Sequence, residues 1–286
     1  MTPHLSVVIV NYNTRDLLRD CLRSLEAVRV VHEVIVVDNA SADGSAAMVA
    51  REFPAVMLLA QAENTWFCGG NNIGIDAAVG EYVLLLNPDT VVHAGALETL
   101  VTFMDETPDY AGCTAQLRYP DGSVQRTCSR VPTYRYLLLQ NTPLGLLMSR
   151  QRAALAARHW YADEGFTGEQ SRDVEVLPGS CLLMRRGELR LRDDLLLYFP
   201  EDDLGRRFAG RKFRFVAGAV ITHCEKSATQ SWLAARVYFR DMMVYTRVHH
   251  GNLAALSLWM LTRPLWVAMW AKARLRNTNQ RQTIPL

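Results

Sequence analysis

The sequence predicts an α/β fold: a mainly parallel central sheet flanked by helices, followed by a C-terminal helical extension. Two observations carry this reading. Four short β-branched or apolar runs in the first 86 residues are separated by three segments of helical periodicity, the alternation that parallel strands require. The run Tyr82-Val83-Leu84-Leu85-Leu86 is continuously apolar, as a strand covered on both faces must be, and it stops at Asn87-Pro88-Asp89.

In order, Leu5-Ser6-Val7-Val8-Ile9-Val10 reads as the first strand and Asn11-Tyr12-Asn13-Thr14 as a polar turn. Asn13 or Thr14 can cap a helix carrying Leu17, Leu18, Cys21, Leu22, Leu25 and Val28 on one face. Val34-Ile35-Val36-Val37 is the second strand and ends in Asp38-Asn39-Ala40-Ser41. Residues 46–53 read as helix, 56–59 as a third strand, 69–79 as a helix opened by Gly and Asn, and 82–86 as the fourth strand. Beyond Asp89 the alternation loosens. A helix is expected over 96–104, a strand over 111–118 and a turn at Pro120-Asp121-Gly122-Ser123. Residues 133–157 are helical in pattern, broken near Pro143 and Gly145. Residues 158–173 read as a polar loop, 174–185 as extended, 202–209 as a short helix and 213–222 as a strand. From Ser231 onward the pattern is helical, so the expected division is 1–226 and 227–286.

Hydrophobic residues make up 49% of the 286, enough for a sizeable core, and a net charge of +2 gives no electrostatic case for nucleic acid. Six scattered cysteines (21, 68, 113, 128, 181, 224) form no CxxC pair and read as buried free thiols in a reducing compartment. No basic-then-apolar leader is read at the N-terminus.

The candidate chemistry sits where strands end, because ligands of open α/β sheets bind at the carboxyl edge. Asp38 can accept from a base or a ribose hydroxyl; an Asx-turn role fits the same residues. No GxGxxG follows the first strand, which speaks against a nicotinamide enzyme. Cys68-Gly69-Gly70-Asn71 opens a helix whose N-terminus favours anions, or is simply a tight turn. Asn87-Pro88-Asp89 has the spacing of a D-x-D pair with the first acid replaced; its carboxylate can hold a cation that holds a diphosphate, or just ends a strand. Glu201-Asp202-Asp203 can supply a general base or merely favour a helix N-terminus. His223 is either a second metal ligand or a hydrogen-bonded structural histidine.

Taken in order, these motifs resemble family 2 glycosyltransferases of the GT-A fold, and within them a bacterial rhamnosyltransferase-like branch. The resemblance runs through Val8–Asn13, Val36–Ser45, Asn64–Gly74, Leu86–Thr90, Pro120–Ser123, Gly179–Arg186, Glu201–Leu204 and His223, about residues 5–250. It implies that Asn11, Asn13, Asp38, Asn39, Asp43, Asn64, Trp66, Gly70, Asn71 and Asn87 hold a nucleotide-diphospho-sugar. It further implies that Asp89 and His223 bind Mg²⁺ or Mn²⁺, and that an acid among Glu201, Asp202 and Asp203, with Glu201 the first choice, deprotonates an acceptor hydroxyl. The expected donor is dTDP-L-rhamnose, with UDP-galactofuranose, another UDP-hexose or GDP-mannose as alternatives, and the acceptor a lipid-linked saccharide of the cell envelope. Three stretches depart from the family pattern: Trp66 stands where Asn-x-Gly-Phe is usual, the acids shift to Pro200-Glu201-Asp202-Asp203, and Cys224-Glu225-Lys226-Ser227 replaces a Gly-rich segment.

Arg126, Arg130, Pro132 and the 134–147 segment fall on the acceptor side. Residues 253–271 are nearly apolar but carry Arg263-Pro264 at their middle, which opposes insertion. Trp259, Trp266 and Trp270 share a helical face, and Lys272, Arg274, Arg276 and Arg281 suit anionic lipid. The reading is a cytoplasmic protein lying peripherally on the inner membrane surface through its C-terminal helices; packing of those helices on the domain or in a homodimer is the alternative.

Overall fold

The computed structural model describes residues 3–225 and 232–275, except the side chains of residues 268 and 271–275. The strands are β1 (Leu5–Asn11), β2 (His32–Asp38), β3 (Met57–Ala60), β4 (Tyr82–Leu86), β5 (Thr90–Val92), β6 (Tyr110–Arg118), β7 (Arg172–Val174), β8 (Cys181–Arg185) and β9 (Lys212–His223). The helices are α1 (Arg15–Leu25), α2 (Ser45–Glu52), α3 (Trp66–Ala77), α4 (Ala96–Glu106), α5 (Tyr134–Asn141), α6 (Leu144–Leu147), α7 (Ser149–His159), α8 (Pro200–Arg207), α9 (Trp232–His250) and α10 (Asn252–Leu275).

All nine strands form one sheet in the order β3-β2-β1-β4-β8-β6-β9-β5, with β7 paired to β9. The first four run parallel, as the alternation with helices requires, and β6 and β9 are parallel to each other. β8 is antiparallel to both β4 and β6, and β5 and β7 are antiparallel to β9, so the sheet is mixed rather than uniformly parallel. β5 was not foreseen: three residues carry no readable period. The expected loop at 158–173 contains part of β7 and a short 3-10 turn at Ala162–Glu164, where Arg130 and Arg172 lie over the Tyr161 ring at 4.3 and 4.2 Å.

β4 is buried at every residue, which explains its unbroken apolar run. One apolar cluster packs α1, α2 and α4 against the sheet through Leu18, Leu22, Met48, Leu97 and Leu100. The opposite cluster holds Val8, Val37, Leu85, Phe213 and Phe215 together with Phe239, Met242, Tyr245 and Leu258 of α9 and α10. The two C-terminal helices therefore complete a core shared with the sheet, although the sequence divides the chain near residue 226. Lys226, Ser227, Arg276 and Arg281, and the side chains of Lys272 and Arg274, lie outside the described residues. All six cysteines are free; five are buried and Cys224 is half-buried.

α3 meets the sheet at very short range. A Cβ on Gly70 would lie 2.8 Å from Val10 Cγ1, and one on Gly74 would overlap Val8 Cγ1. These glycines give α3 its close packing on β1. Gly74→Ala should therefore lower stability by about 1–3 kcal/mol through overpacking. Urea denaturation would show it, and a Val8→Ala change in the same chain should return part of the loss.

Candidate active site

Parallel strands end together, and here four clusters of polar side chains gather along the carboxyl edge. The first braces the β1–β2 turns. The register pairs Asn11 with Asp38. Asn11 is fully buried; its Nδ2 donates to Asp38 Oδ1 (2.7 Å) and Ser41 Oγ (3.0 Å), and its Oδ1 accepts from Thr14 Oγ1 (2.6 Å). Asp38 Oδ2 accepts from the Ser41 amide at 3.0 Å. Asn13 Oδ1 accepts from the Ala42 amide, and Asp43 accepts from the amides of Arg15 and Ser45. Asn11 therefore shapes the rim from inside, and the exposed surface of that rim belongs to Asn13 and its neighbours.

The second cluster opens α3. Asn39 accepts from Thr65 Oγ1 (2.7 Å) and donates to the Trp66 carbonyl (3.0 Å), while Asn64 Oδ1 accepts from the Trp66 amide (2.8 Å). Together these bonds hold Trp66 at φ 64°, a left-handed conformation that costs a large residue energy and a glycine almost none. Gly70 and Asn71 are buried beneath it. Gly70 backs onto Val10, and Asn71 Nδ2 donates to the Phe67 carbonyl at 2.8 Å.

The third cluster joins Asn87, Asp89 and His223. The antiparallel pairing of β5 and β9 sets Thr90 opposite His223, and the Cys224 amide donates to the Asp89 carbonyl at 2.9 Å. His223 Nε2 lies 3.3 Å from Asp89 Oδ1 and 3.5 Å from Asn87 Nδ2. Asp89 is 8% exposed. Among the described residues no group of three or more His, Cys, Asp and Glu gathers around a metal position. The Asp89 carboxylate suits Mg²⁺ or Mn²⁺ with the remaining oxygens from a substrate diphosphate and water, whereas the imidazole nitrogen suits a transition metal better than Mg²⁺.

The fourth cluster contains the acids of α8. Phe199 precedes the helix at φ 69°, and Pro200 occupies the first turn, where a missing N–H is harmless. Glu201 lies directly against Gly179, so that any Cβ there would overlap its Oε1, and Phe67 Cζ sits 3.0 Å from the same position. Burial pushes the Glu201 carboxyl up to about 7, opposed by the Glu201 and Gly179 amides. Burial, with the charge of Glu201 added, pushes Asp202 up to about 8. Asp202 faces an aromatic wall: burial first, and the Asp202 charge after it, raise Tyr136 and Tyr245, and the same charge adds to the rise at Tyr238. Asp203 is placed differently. It is fully buried, with Arg207 Nε at 2.8 Å and His249 Nε2 at 2.8 Å, so it joins α8 to α9 instead of facing the cleft.

Sequence reasoning missed Asp241. Its Oδ2 accepts from the amides of Leu196, Leu197 and Tyr198 at 2.9–3.1 Å, and Arg240 reaches its Oδ1 at 2.7 Å. The Leu196 carbonyl in turn accepts from the Cys68 amide at 3.0 Å. One carboxylate on α9 thus fixes the loop between α3 and the acids of α8. The only signal in the sequence is an acid at a core-facing helical position.

A family model described as glycosyl transferase family 2 matches residues 6–165. The chain is 29% identical over 273 residues to N-acetylglucosaminyl-diphospho-decaprenol L-rhamnosyltransferase of Mycobacterium tuberculosis (strain CDC 1551 / Oshkosh), covering 88% of this chain and 83% of that protein. It is 32% identical over 180 residues to the uncharacterized glycosyltransferase YibD of Escherichia coli (strain K12), covering 61% of this chain and only half of that relative. Among solved structures it resembles GalNAc-T7 with UDP, GalNAc and Mn²⁺ (TM-score 0.61, 13% identity, 86% of this chain and 48% of that one). It also resembles the mannosyltransferase PcManGT of Pyrobaculum calidifontis with GDP-Man and Mn²⁺ (TM-score 0.54, 14% identity, 98% and 82%). At these identities the solved structures show a shared fold, the GT-A fold.

Asp241→Ala would leave three buried amides without an acceptor, and should cost at least ~3 kcal/mol in urea unfolding. Asp241→Asn keeps one acceptor oxygen and should cost less.

Proposed function

Because the chain belongs to glycosyl transferase family 2, we propose that it is a divalent-cation-dependent, inverting sugar transferase of cell-envelope polysaccharide assembly. The donor of first choice is dTDP-L-rhamnose and the acceptor a lipid-linked saccharide. The observation that carries the reading is the pairing of Asp89 with His223 on the edge that also carries the Glu201–Asp202 pair. Similarity to a named rhamnosyltransferase over most of both chains supports the donor, and that protein's decaprenol-linked substrate supports the acceptor class. UDP-galactofuranose, another UDP-hexose and GDP-mannose remain the competing donors.

In this reading Asn13, Asp38, Asn39, Asp43, Asn64 and Asn87 form the nucleotide side of the cleft, with Asn11 bracing it. Asp89 and His223 hold Mg²⁺ or Mn²⁺, which when bound neutralises charge on the leaving diphosphate. Trp66, fixed in its left-handed conformation, walls the sugar position where a glycine would leave it open. Glu201 takes the proton of the acceptor hydroxyl as that oxygen attacks the anomeric carbon from the face opposite the diphosphate, which inverts the configuration. Its raised pKa suits the task, since a base near 7 is both available and strong at neutral pH. Asp202 stands beside it, raised by burial and by the Glu201 charge.

No helix among the described residues is long and apolar enough to cross a membrane. The outer face of α10 nevertheless exposes Leu253 (83%), Leu256 (52%) and Met260 (53%), and α6 exposes Leu146 and Leu147. Tyr134 of α5 bonds Ser257 of α10 (2.7 Å), and Asn141 at the other end of α5 bonds Tyr238 of α9 (2.9 Å), so one helical layer carries both exposed patches. In the proposal this layer rests peripherally on the inner membrane face, where a lipid-linked acceptor is held. The C-terminal segment 227–286 then serves as the membrane-facing wall of the catalytic unit 1–226.

Three measurements test this reading. A panel of nucleotide sugars should raise Tm only with Mn²⁺ present and only for the true donor, since a ligand of the native state stabilises it. Asp89→Ala should lose that shift while keeping the unliganded melting curve; a metal-independent shift would overturn the cation assignment. In turnover assays kcat/KM should rise with pH through about 7, as Glu201 ionises, and Glu201→Gln should lose about 10²–10⁴-fold. A larger loss in Asp202→Asn than in Glu201→Gln would move the base to Asp202. For the membrane surface, the protein should sediment with vesicles rich in anionic lipid, and Leu253→Glu with Leu256→Glu should release it without changing Tm.

A further inference from the structure

The turn Pro120-Asp121-Gly122-Ser123 is built with care for a segment that takes no part in the reaction as described. Asp121 Oδ1 accepts from the Ser123 amide (2.9 Å) and hydroxyl (2.6 Å), and Gly122 takes φ 84°. The Tyr119 amide donates to the Ser123 carbonyl at 2.8 Å, and Arg118 bridges Val124. The hairpin returns the chain alongside β6 and delivers Gln125, whose amide donates to the Leu117 carbonyl at 2.9 Å. Gln125 is 4% exposed.

Both ends of the Gln125 side chain meet His223. Nε2 lies 2.7 Å from the His223 carbonyl oxygen, and Oε1 lies 2.9 Å from His223 Nδ1. A backbone carbonyl can only accept, so the NH₂ group must face it and Oε1 must face the ring. An amide oxygen can only accept as well, so Nδ1 must carry the proton. In the neutral imidazole this leaves Nε2 with a lone pair. Nε2 then has the Asn87 side-chain nitrogen at 3.5 Å and Asp89 Oδ1, itself an acceptor, at 3.3 Å. Asn87 gives Nε2 a long contact at best, no proton of the neutral ring lies between Nε2 and the Asp89 carboxylate, and these two acceptors are left able to share a cation.

We propose that Gln125 is a positioning residue for the divalent cation: by clamping His223 at Nδ1 and at its own carbonyl, it fixes the tautomer that offers Nε2 to the metal. This rests on the cation reading given under the proposed function. It assigns the turn at 120–123 a purpose, namely to hold Gln125 in register with the end of β9. Partners of this kind, behind a metal-bound histidine, commonly govern affinity 10–100-fold.

Two readouts separate Gln125 from the cation itself. In metal-free protein, ¹⁵N NMR of histidine-labelled samples should show His223 protonated at Nδ1 and bare at Nε2. An Nε2-protonated ring in the wild type would overturn the proposal without any variant having to fold. Mn²⁺ titration followed by EPR should then show ~10–100-fold weaker binding in Gln125→Leu. Gln125→Glu, which keeps an acceptor for Nδ1–H, should bind far closer to wild type. If Gln125→Leu lowers Tm but binds Mn²⁺ as the wild type does, its role is structural only and the proposal fails while the cation reading stands. If the wild type binds no Mn²⁺, both fail together.

Discussion

A carboxylate withdrawn from water must be met by donors, and at the carboxyl edge of this sheet that requirement organises everything nearby. Four aspartates are buried there. Asp38 is met by Asn11 and the Ser41 amide, Asp203 by Arg207 and His249, and Asp241 by three consecutive amides and Arg240. Each therefore ties two segments of chain together. Asp89 differs. Among the described residues its carboxylate takes no hydrogen bond from a backbone amide or an arginine, and its close partner is the imidazole of His223. Three of these carboxylates tie segments of the edge together, and Asp89 does not.

The same accounting explains why the C-terminal helices pack as part of the sheet's core. Asp241 and His249 of α9 hold the loop before α8 and the buried acid within α8, while Tyr238 and Tyr245 form the wall beside Asp202. The helices thus contribute to the surroundings of Asp202, where burial is the first cause of the raised pKa. The exposed apolar side chains of α10 and the tyrosines beside Asp202 lie on one helical layer.

Backbone strain gathers in the same place. Asn13, Ala40, Trp66 and Phe199 all carry positive φ at the turns that border the cleft. The two peptide groups of Trp66 are pinned by Asn39 and Asn64, which hold a bulky residue in a conformation suited to glycine.

Sequence periodicity by itself determined the α/β class, the positions of the first four strands along the chain and the strand-end positions of Asp38 and Asp89. These follow from local pattern: a twofold or unbroken apolar run, a helical face, and a polar residue where the run stops. The ordered motifs further fixed the family. Tertiary structure decided the rest. It reversed β8 between β4 and β6, brought His223 to Asp89 through the register of β5 with β9, and separated Asp203 from Glu201 and Asp202. It also set Gly70 against Val10, Asp241 under the amides of residues 196–198, and Gln125 against His223. Each of these depends on which strand lies beside which, and on which side chain meets a donor more than forty residues away. Such pairings are set by the packing of the whole sheet and leave no trace in the spacing of neighbours along the chain.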